Sequence, residues 1–201
     1  MKQKLSALLI SPILLLIAGC KKTDERMPDF RVDFATVVEK NGALSFLLDN
    51  QKLLTPQASV NYLGKPGQRV LINYIFSEGE TVEIKKVTDI FTGNIENAGY
   101  PDKLHKDPVA IRSIWVSGGY LNVIFEIEYH SKKHEIALFR NFNSPSIDLY
   151  FSHSKNNDLP GYTQTQYASF SLKNITNSGA QPFYVFIETS KGVRKFTFAW
   201  K

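Results

Sequence analysis

A period of two runs through most of this chain, and that alternation restricts it to β-structure. Leu121, Val123, Phe125, Ile127 and Tyr129 fall on one side of an extended strand, and Asn122, Glu126, Glu128 and His130 on the other. That pattern predicts a sheet with one buried and one wet face. The same period holds near the start, where Val32, Phe34, Thr36 and Val38 alternate with Arg31, Asp33, Ala35 and Val37. It returns in Val70, Ile72, Tyr74 and Phe76. No amphipathic stretch of helical spacing longer than about 10 residues follows position 20. The fold class expected is all-β.

Turn residues divide the strands. Asn41-Gly42 is a hairpin turn, because both residues tolerate positive φ. Gly64-Lys65-Pro66-Gly67, Glu78-Gly79 and Ser117-Gly118-Gly119-Tyr120 are further turns. About five strands are expected between residues 30 and 91, with a bulge near Lys85-Lys86 where the parity slips. Leu44, Phe46 and Leu48 fit a strand within 43–54, a stretch that also has room for a helical turn. Seven strands are expected at 109–116, 120–130, 134–140, 146–152, 166–172, 183–189 and 194–200, a number that suits a β-sandwich. Between the two groups, residues 92–108 lack a pattern and carry Gly93, Gly99, Pro101 and Pro108. A loop of that length marks a domain boundary, so the expected units are 30–106 and 107–201.

The N-terminus has a different character. Lys2 and Lys4 precede an apolar run from Leu5 to Ala18, too short for the roughly 20 residues of a spanning helix. Such a run, ending in small residues, describes a secretory signal. Leu16-Ile17-Ala18-Gly19-Cys20 resembles the lipobox of Gram-negative lipoproteins. The expectation is a signal peptide over 1–19, cleavage between Gly19 and Cys20, and a palmitate-type lipid anchor on Cys20. An ordinary signal peptide with an incidental cysteine, or a buried apolar strand, are the alternatives. Residues 20–29 read as a charged tether. The localisation implied is the cell envelope, as an outer-membrane lipoprotein, with either face open.

Composition excludes several chemistries. Removing residues 1–19 takes away Lys2 and Lys4 and no acid, so the formal charge falls from +5 to +3. That mild, dispersed balance is not a nucleic-acid footprint. Cys20 is the single cysteine, so a lipidated chain has no disulfide, thiol nucleophile or cysteine zinc site. All 14 Phe, 9 Tyr and 2 Trp lie after position 20, ample for a large core.

Several segments together carry a family resemblance. Gly67-Gln68-Arg69-Val70-Leu71-Ile72-Asn73-Tyr74 is followed by Val87-Thr88-Asp89-Ile90-Phe91, then Asp107-Pro108-Val109-Ala110-Ile111. The most specific run is Ile114-Trp115-Val116-Ser117-Gly118-Gly119-Tyr120-Leu121-Asn122-Val123. This series resembles the NigD-like family of envelope lipoproteins. The resemblance implies an N-terminal OB-like barrel followed by a C-terminal antiparallel β-sandwich. It implies no catalytic residue, and the immunity role suggested for the family is not settled.

No constellation points to catalysis or a cofactor. Glu126, Glu128 and His130 share a strand face at spacings of roughly 7 Å, and a wet sheet face explains them as well as a metal does. His130 and His134 flank a turn, not the helix a zinc motif needs. Asn156, Asn157 and Asp158 lack calcium-loop spacing and read as a solvated turn. Residues 64–67 do not form a phosphate loop, and no Gly-x-Ser-x-Gly elbow occurs. Arg69, Lys85, Lys86 and Tyr74 could line an OB-like groove, but export argues against nucleic acid. Trp115 is expected to fill the sandwich core, with a binding site marked by the family motif as the alternative. Tyr62, Tyr100, Phe142 and Tyr162 fall in expected loops and are the candidate ligand-binding aromatics. The function expected is a non-enzymatic, membrane-anchored module binding an envelope protein or a glycan. The alternative is an assembly accessory or a bacteriocin-immunity-type factor bound to another envelope protein.

Overall fold

In the computed structural model, residues 29–77, 81–175 and 181–199 are described. Gly19, Cys20, all but the last residue of the tether, and the expected Glu78-Gly79 turn lie outside that set. The described residues contain strands and turns and no helix.

The first unit is a closed five-stranded barrel of β1 (Phe30–Lys40), β2 (Ala43–Leu48), β3 (Leu53–Pro56), β4 (Arg69–Phe76) and β5 (Thr81–Asp89). Its order is β1-β2-β3-β5-β4, with β3 and β5 parallel, the arrangement of an OB-like barrel. The β1–β2 hairpin turns through Asn41 (φ 55°) and Gly42 (φ 75°), both left-handed as its sequence requires. The expected bulge is present. Asn73 faces Lys86 while Tyr74 faces Ile84, so Lys85 is the extra residue. Inside lie Ala35, Val37, Phe46, Leu54, Val70, Ile72, Tyr74 and Val82. The buried parity of β1 is thus the one with the smaller side chains. Phe34 and Val32 point out of the barrel.

The second unit is one eight-stranded sheet folded over a single core. Its strands are β6 (Phe91–Glu96), β7 (Ala110–Ser117), β8 (Tyr120–Tyr129), β9 (Glu135–Asn141), β10 (Ile147–Ser154), β11 (Tyr162–Ser171), β12 (Phe183–Thr189) and β13 (Gly192–Phe198). The order is β13-β12-β10-β9-β6-β11-β8-β7. β6 joins the halves by running parallel to both β11 and β9. The core between the halves includes Leu121, Val123, Phe125, Leu138, Leu149, Phe151, Phe170 and Val185.

Two expectations need correction. The segment 92–108 is not wholly irregular, because its first residues belong to β6, whose Ile95 enters the core. Six residues interrupted by Gly93 are too few for an alternation to register. Gly93 itself is crowded: a Cβ there would meet the Phe91 ring at 2.7 Å. Nor is every pairing of the sandwich antiparallel, since β6–β11, β6–β9 and β10–β12 are parallel. Period two identifies a strand but says nothing of its direction.

Candidate functional site

The residues of the most specific sequence run meet where the two units join. Arg69, the first residue of β4, is fully buried. Its guanidinium donates to Asp49 Oδ1 (2.6 Å) and Oδ2 (3.1 Å), to Thr36 Oγ1 (3.1 Å), to Asn122 Oδ1 (3.1 Å) and to Ser169 Oγ (3.4 Å). Five N–H groups therefore find five acceptors, which is the full capacity of an arginine. Thr36 and Asp49 belong to the barrel unit, and Asn122 and Ser169 to the sandwich. The Tyr120 ring covers the guanidinium at 4.5 Å.

The network closes on itself. Ser117 donates its hydroxyl proton to Asp49 Oδ2. Ser117 Oγ accepts from Trp115 Nε1–H (2.9 Å) and from Asn122 Nδ2–H (3.0 Å). Ser169 Oγ donates to Asn122 Oδ1 at 2.6 Å. Asp49 reaches this ring because Gly118 lets it: a Cβ on Gly118 would lie 2.4 Å from Asp49 Oδ1. Gly118 and Gly119, at φ 59° and 81°, make the β7–β8 turn as expected.

Beside the network a cleft of about 500 Å³ opens between the units. Val32, Phe34 and Leu71 of the barrel face Trp115, Ile124 and Tyr167 of the sandwich, and Asp33, Leu48, Asp49, Asn50 and Ser117 complete its lining. Trp115 meets Phe34 edge to face at 5.1 Å. It does not fill the sandwich core, which corrects the expectation. After the bulge between Ile111 and Ser113, Trp115 and Ser117 of β7 face the cleft, whereas Ile111, Ile114 and Val116 pack on the core. Asn122 is likewise not on a wet face. The near end of that face is covered by the barrel, and Asn122 has no exposed surface.

The four candidate aromatics do not converge, and Tyr162 opens β11 instead of lying in the expected loop. Tyr62 folds back on the barrel and donates its hydroxyl to Asp89. Burial and the Asp89 carboxylate push the Tyr62 phenol well above its usual range. The Tyr100 ring lies against Tyr150, tilted, with ring centres 4.7 Å apart. Phe142 is 56 % exposed beneath the Arg140 guanidinium, and Tyr162 is 59 % exposed against Tyr129. Phe142 follows the end of β9, whereas Tyr162 pairs with the far end of β8.

The other constellations resolve differently from one another. Glu126 pairs with Arg112 at 2.6 Å, and His130 is exposed against Ser131. Among the described residues no three histidine, cysteine or carboxylate side chains converge as a metal site. The groove expected from Arg69, Tyr74, Lys85 and Lys86 is absent, because Arg69 is sealed at the interface and Tyr74 lies inside the barrel, donating to Asp33 at 2.8 Å. Asp158 is buried, not solvated. Against the opposing effect of burial, the backbone N–H groups of His130, Lys132 and Ser131 hold its carboxyl far below the usual range.

An OB-like barrel locked to a folded-over sandwich by one saturated arginine defines a class of two-unit β protein. The chain belongs to the NigD-like family. The model of the NigD-like C-terminal beta sandwich domain matches residues 93–198, more than half of the 201. Solved structures share the fold over both units. A Parabacteroides distasonis protein, provisionally named as toxin-related, is 27 % identical with a TM-score of 0.75, covering 86 % of this chain and 94 % of that one. A NigD-like immunity protein from Bacteroides caccae is 22 % identical with a TM-score of 0.66, covering 85 % and 98 %. A Bacteroides fragilis protein, provisionally named a lipoprotein, is 10 % identical with a TM-score of 0.64, covering 86 % and 97 %. No curated protein sequence matches the chain.

Proposed function

We propose that this is a non-enzymatic, lipid-anchored envelope protein that holds a segment of a partner protein in the cleft between its barrel and its sandwich. The observation that carries this reading is the cleft itself. Both units build its aromatic walls, and the Arg69 network holds those walls at a set separation. The polar atoms that belong to the network are spent, and Asp33 and Asn50 add polar groups to the lining. The Trp115 N–H, the Ser117 hydroxyl and both Asp49 oxygens are already bonded. The ring faces beside that network suit apolar side chains of a partner. β7, which carries Trp115, ends the sheet among the described residues, and an edge strand can accept a strand of a partner.

Ser117 has no histidine among its hydrogen-bond partners, which weighs against hydrolase chemistry. The lipobox-like run to Cys20 supports the anchor, with 1–19 as signal peptide and 20–29 as tether. The names of the B. caccae and B. fragilis proteins are consistent with an immunity-type partner and a lipoprotein. The test is affinity capture of the lipidated protein from crosslinked native envelopes, read by mass spectrometry. One dominant protein partner is expected, reduced at least tenfold by Trp115→Ala. Cys20→Ala should release the protein from membranes and leave its fold intact. Capture of glycan without protein, or a yield indifferent to Trp115→Ala, contradicts the reading.

A further inference from the structure

The barrel brings an unpaired strand edge to the cleft. Val37 N–H donates to the Gln68 carbonyl (2.9 Å), and Val37 C=O accepts from Gly67 N–H (2.8 Å). Odd-numbered residues of β1 therefore aim their backbone groups toward the β4 side, and the alternation of an antiparallel ladder aims those of even-numbered residues the other way. β2 covers that other side only along residues 35–40. After Leu48 the chain turns away through Asp49, Asn50 and Gln51, the last at φ 69°. Among the described residues no strand continues beside residues 30–34 on that side. The N–H and C=O of Val32 and the N–H of Phe34 are thus left facing the gap, at the roughly 7 Å spacing of alternate strand residues. That gap belongs to the cleft, since Val32, Phe34, Asp49 and Asn50 all line it.

Strand pleating also fixes which side chains would meet. On a strand added at this edge, residues beside Val32 and Phe34 share their face, toward Trp115 and Tyr167 across the cleft. The residue between them lies on the face of Asp33. Asp33 accepts from the Tyr74 hydroxyl at 2.8 Å and forms no ion pair among the described residues. Arg31, two residues along the same face, is held by Asp29 at 2.8 Å. Asp49, the other carboxylate of the lining, is matched by Arg69. Asp33 therefore leaves the lining with an uncompensated negative charge.

We propose that the partner enters the cleft as an extended strand, which pairs with the free backbone groups of Val32 and Phe34 and carries a lysine or arginine beside Asp33 between two apolar residues. The inference rests on the reading that the cleft receives a protein segment, and it gives that segment a conformation and a charge pattern. Main-chain hydrogen bonds supply the attraction, and the alternate side chains supply the selection. β7, the edge on the sandwich side, is less suited. Its ladder is interrupted between Ile111 and Ser113, and Arg112 is exposed there. Bulges and charges on an edge hinder strand addition. β1 keeps an unbroken register over residues 30–36, and its side chains toward the cleft are Phe34 and Val32, the latter 56 % exposed.

The probe is a phage-displayed library of random peptides about ten residues long, enough for a strand, selected on the immobilised mature chain. Val32→Pro removes the free N–H and no ladder bond, a change that edge strands tolerate. Val32→Ala trims the side chain and keeps the N–H. Enriched peptides should carry lysine or arginine between two apolar residues. They should bind Val32→Pro at least tenfold more weakly than Val32→Ala, and Trp115→Ala at least tenfold more weakly than the wild type. Asp33→Asn, which still accepts from Tyr74, should abolish the preference for a cation. Peptides that need Trp115 but bind both Val32 variants alike, or carry no cation, overturn the inference and leave the cleft reading standing. Peptides indifferent to Trp115→Ala, or no enrichment, contradict both. If Val32→Pro does not fold, amide exchange of the wild type decides. The Val32 and Phe34 amides should exchange freely in the dilute chain and gain at least tenfold protection with peptide, while Asp33 stays protected throughout. Protection of Val32 and Phe34 without peptide means that the chain itself, or at high concentration a second copy, occupies the edge, and overturns the inference.

Discussion

Arg69→Met should lower stability by about 3–5 kcal/mol, the usual loss when one partner of a buried ion pair is removed. The guanidinium is fully buried, and the Asp49 side chain opposite it is 16 % exposed. Without it, Asp49 Oδ1 and Ser169 Oγ lose the guanidinium donor, while Asp49 Oδ2 keeps Ser117 and Asn122 Oδ1 keeps Ser169, and a buried charge short of donors is expensive. At about 2–4 °C per kcal/mol for a chain of this size, Tm should drop by roughly 10 °C. Adding Asp49→Asn to that variant should recover part of the loss, because it removes the stranded charge. The pair is therefore not additive, as expected for residues within one network. Urea unfolding of the four proteins measures the coupling. A loss below about 1 kcal/mol in Arg69→Met would mean that the units are held by apolar contact alone.

The second large effect is expected at Gly118. Gly118→Ala and Gly119→Ala both place a side chain at positive φ, which costs about 1–2 kcal/mol. They differ in what the new Cβ meets. At Gly119 it enters open space, whereas at Gly118 it strikes Asp49 Oδ1 at 2.4 Å and Asp49 Cα at 3.3 Å. Asp49 must then leave Arg69 or the turn must move. Gly118→Ala should cost at least about 2 kcal/mol more than Gly119→Ala, as expected when a buried charge pair is disturbed. It should also cost little more in an Asp49→Asn/Arg69→Met background. Equal losses at the two glycines would show that Asp49 yields freely and that the network is soft.

Much of this architecture is legible in the sequence because strands alternate. Asn41-Gly42, Gly118-Gly119 and the bulge at Lys85 follow from backbone chemistry alone. The site is legible only in part. Trp115, Ser117, Gly118, Tyr120 and Asn122 stand in one run, and Arg69 in another, but alternation only assigns a residue to one side of a strand. It cannot say that a second unit covers that side. Asn122 therefore reads as wet and Trp115 as core, although both face the interface. β6 escapes notice because its alternation spans six residues and its partners are parallel and distant.

The cleft between the two units, and not Phe142 or Tyr162, is expected to receive the partner. Site-specific photocrosslinking in native envelopes tests this most directly, with the reactive side chain placed in turn at Tyr167, Phe142 and Tyr162. Tyr167 lines the cleft, while Phe142 and Tyr162 are exposed outside it. A single protein adduct from position 167, absent from 142 and 162, is the result predicted. An adduct from 142 or 162 with none from 167 would contradict the account.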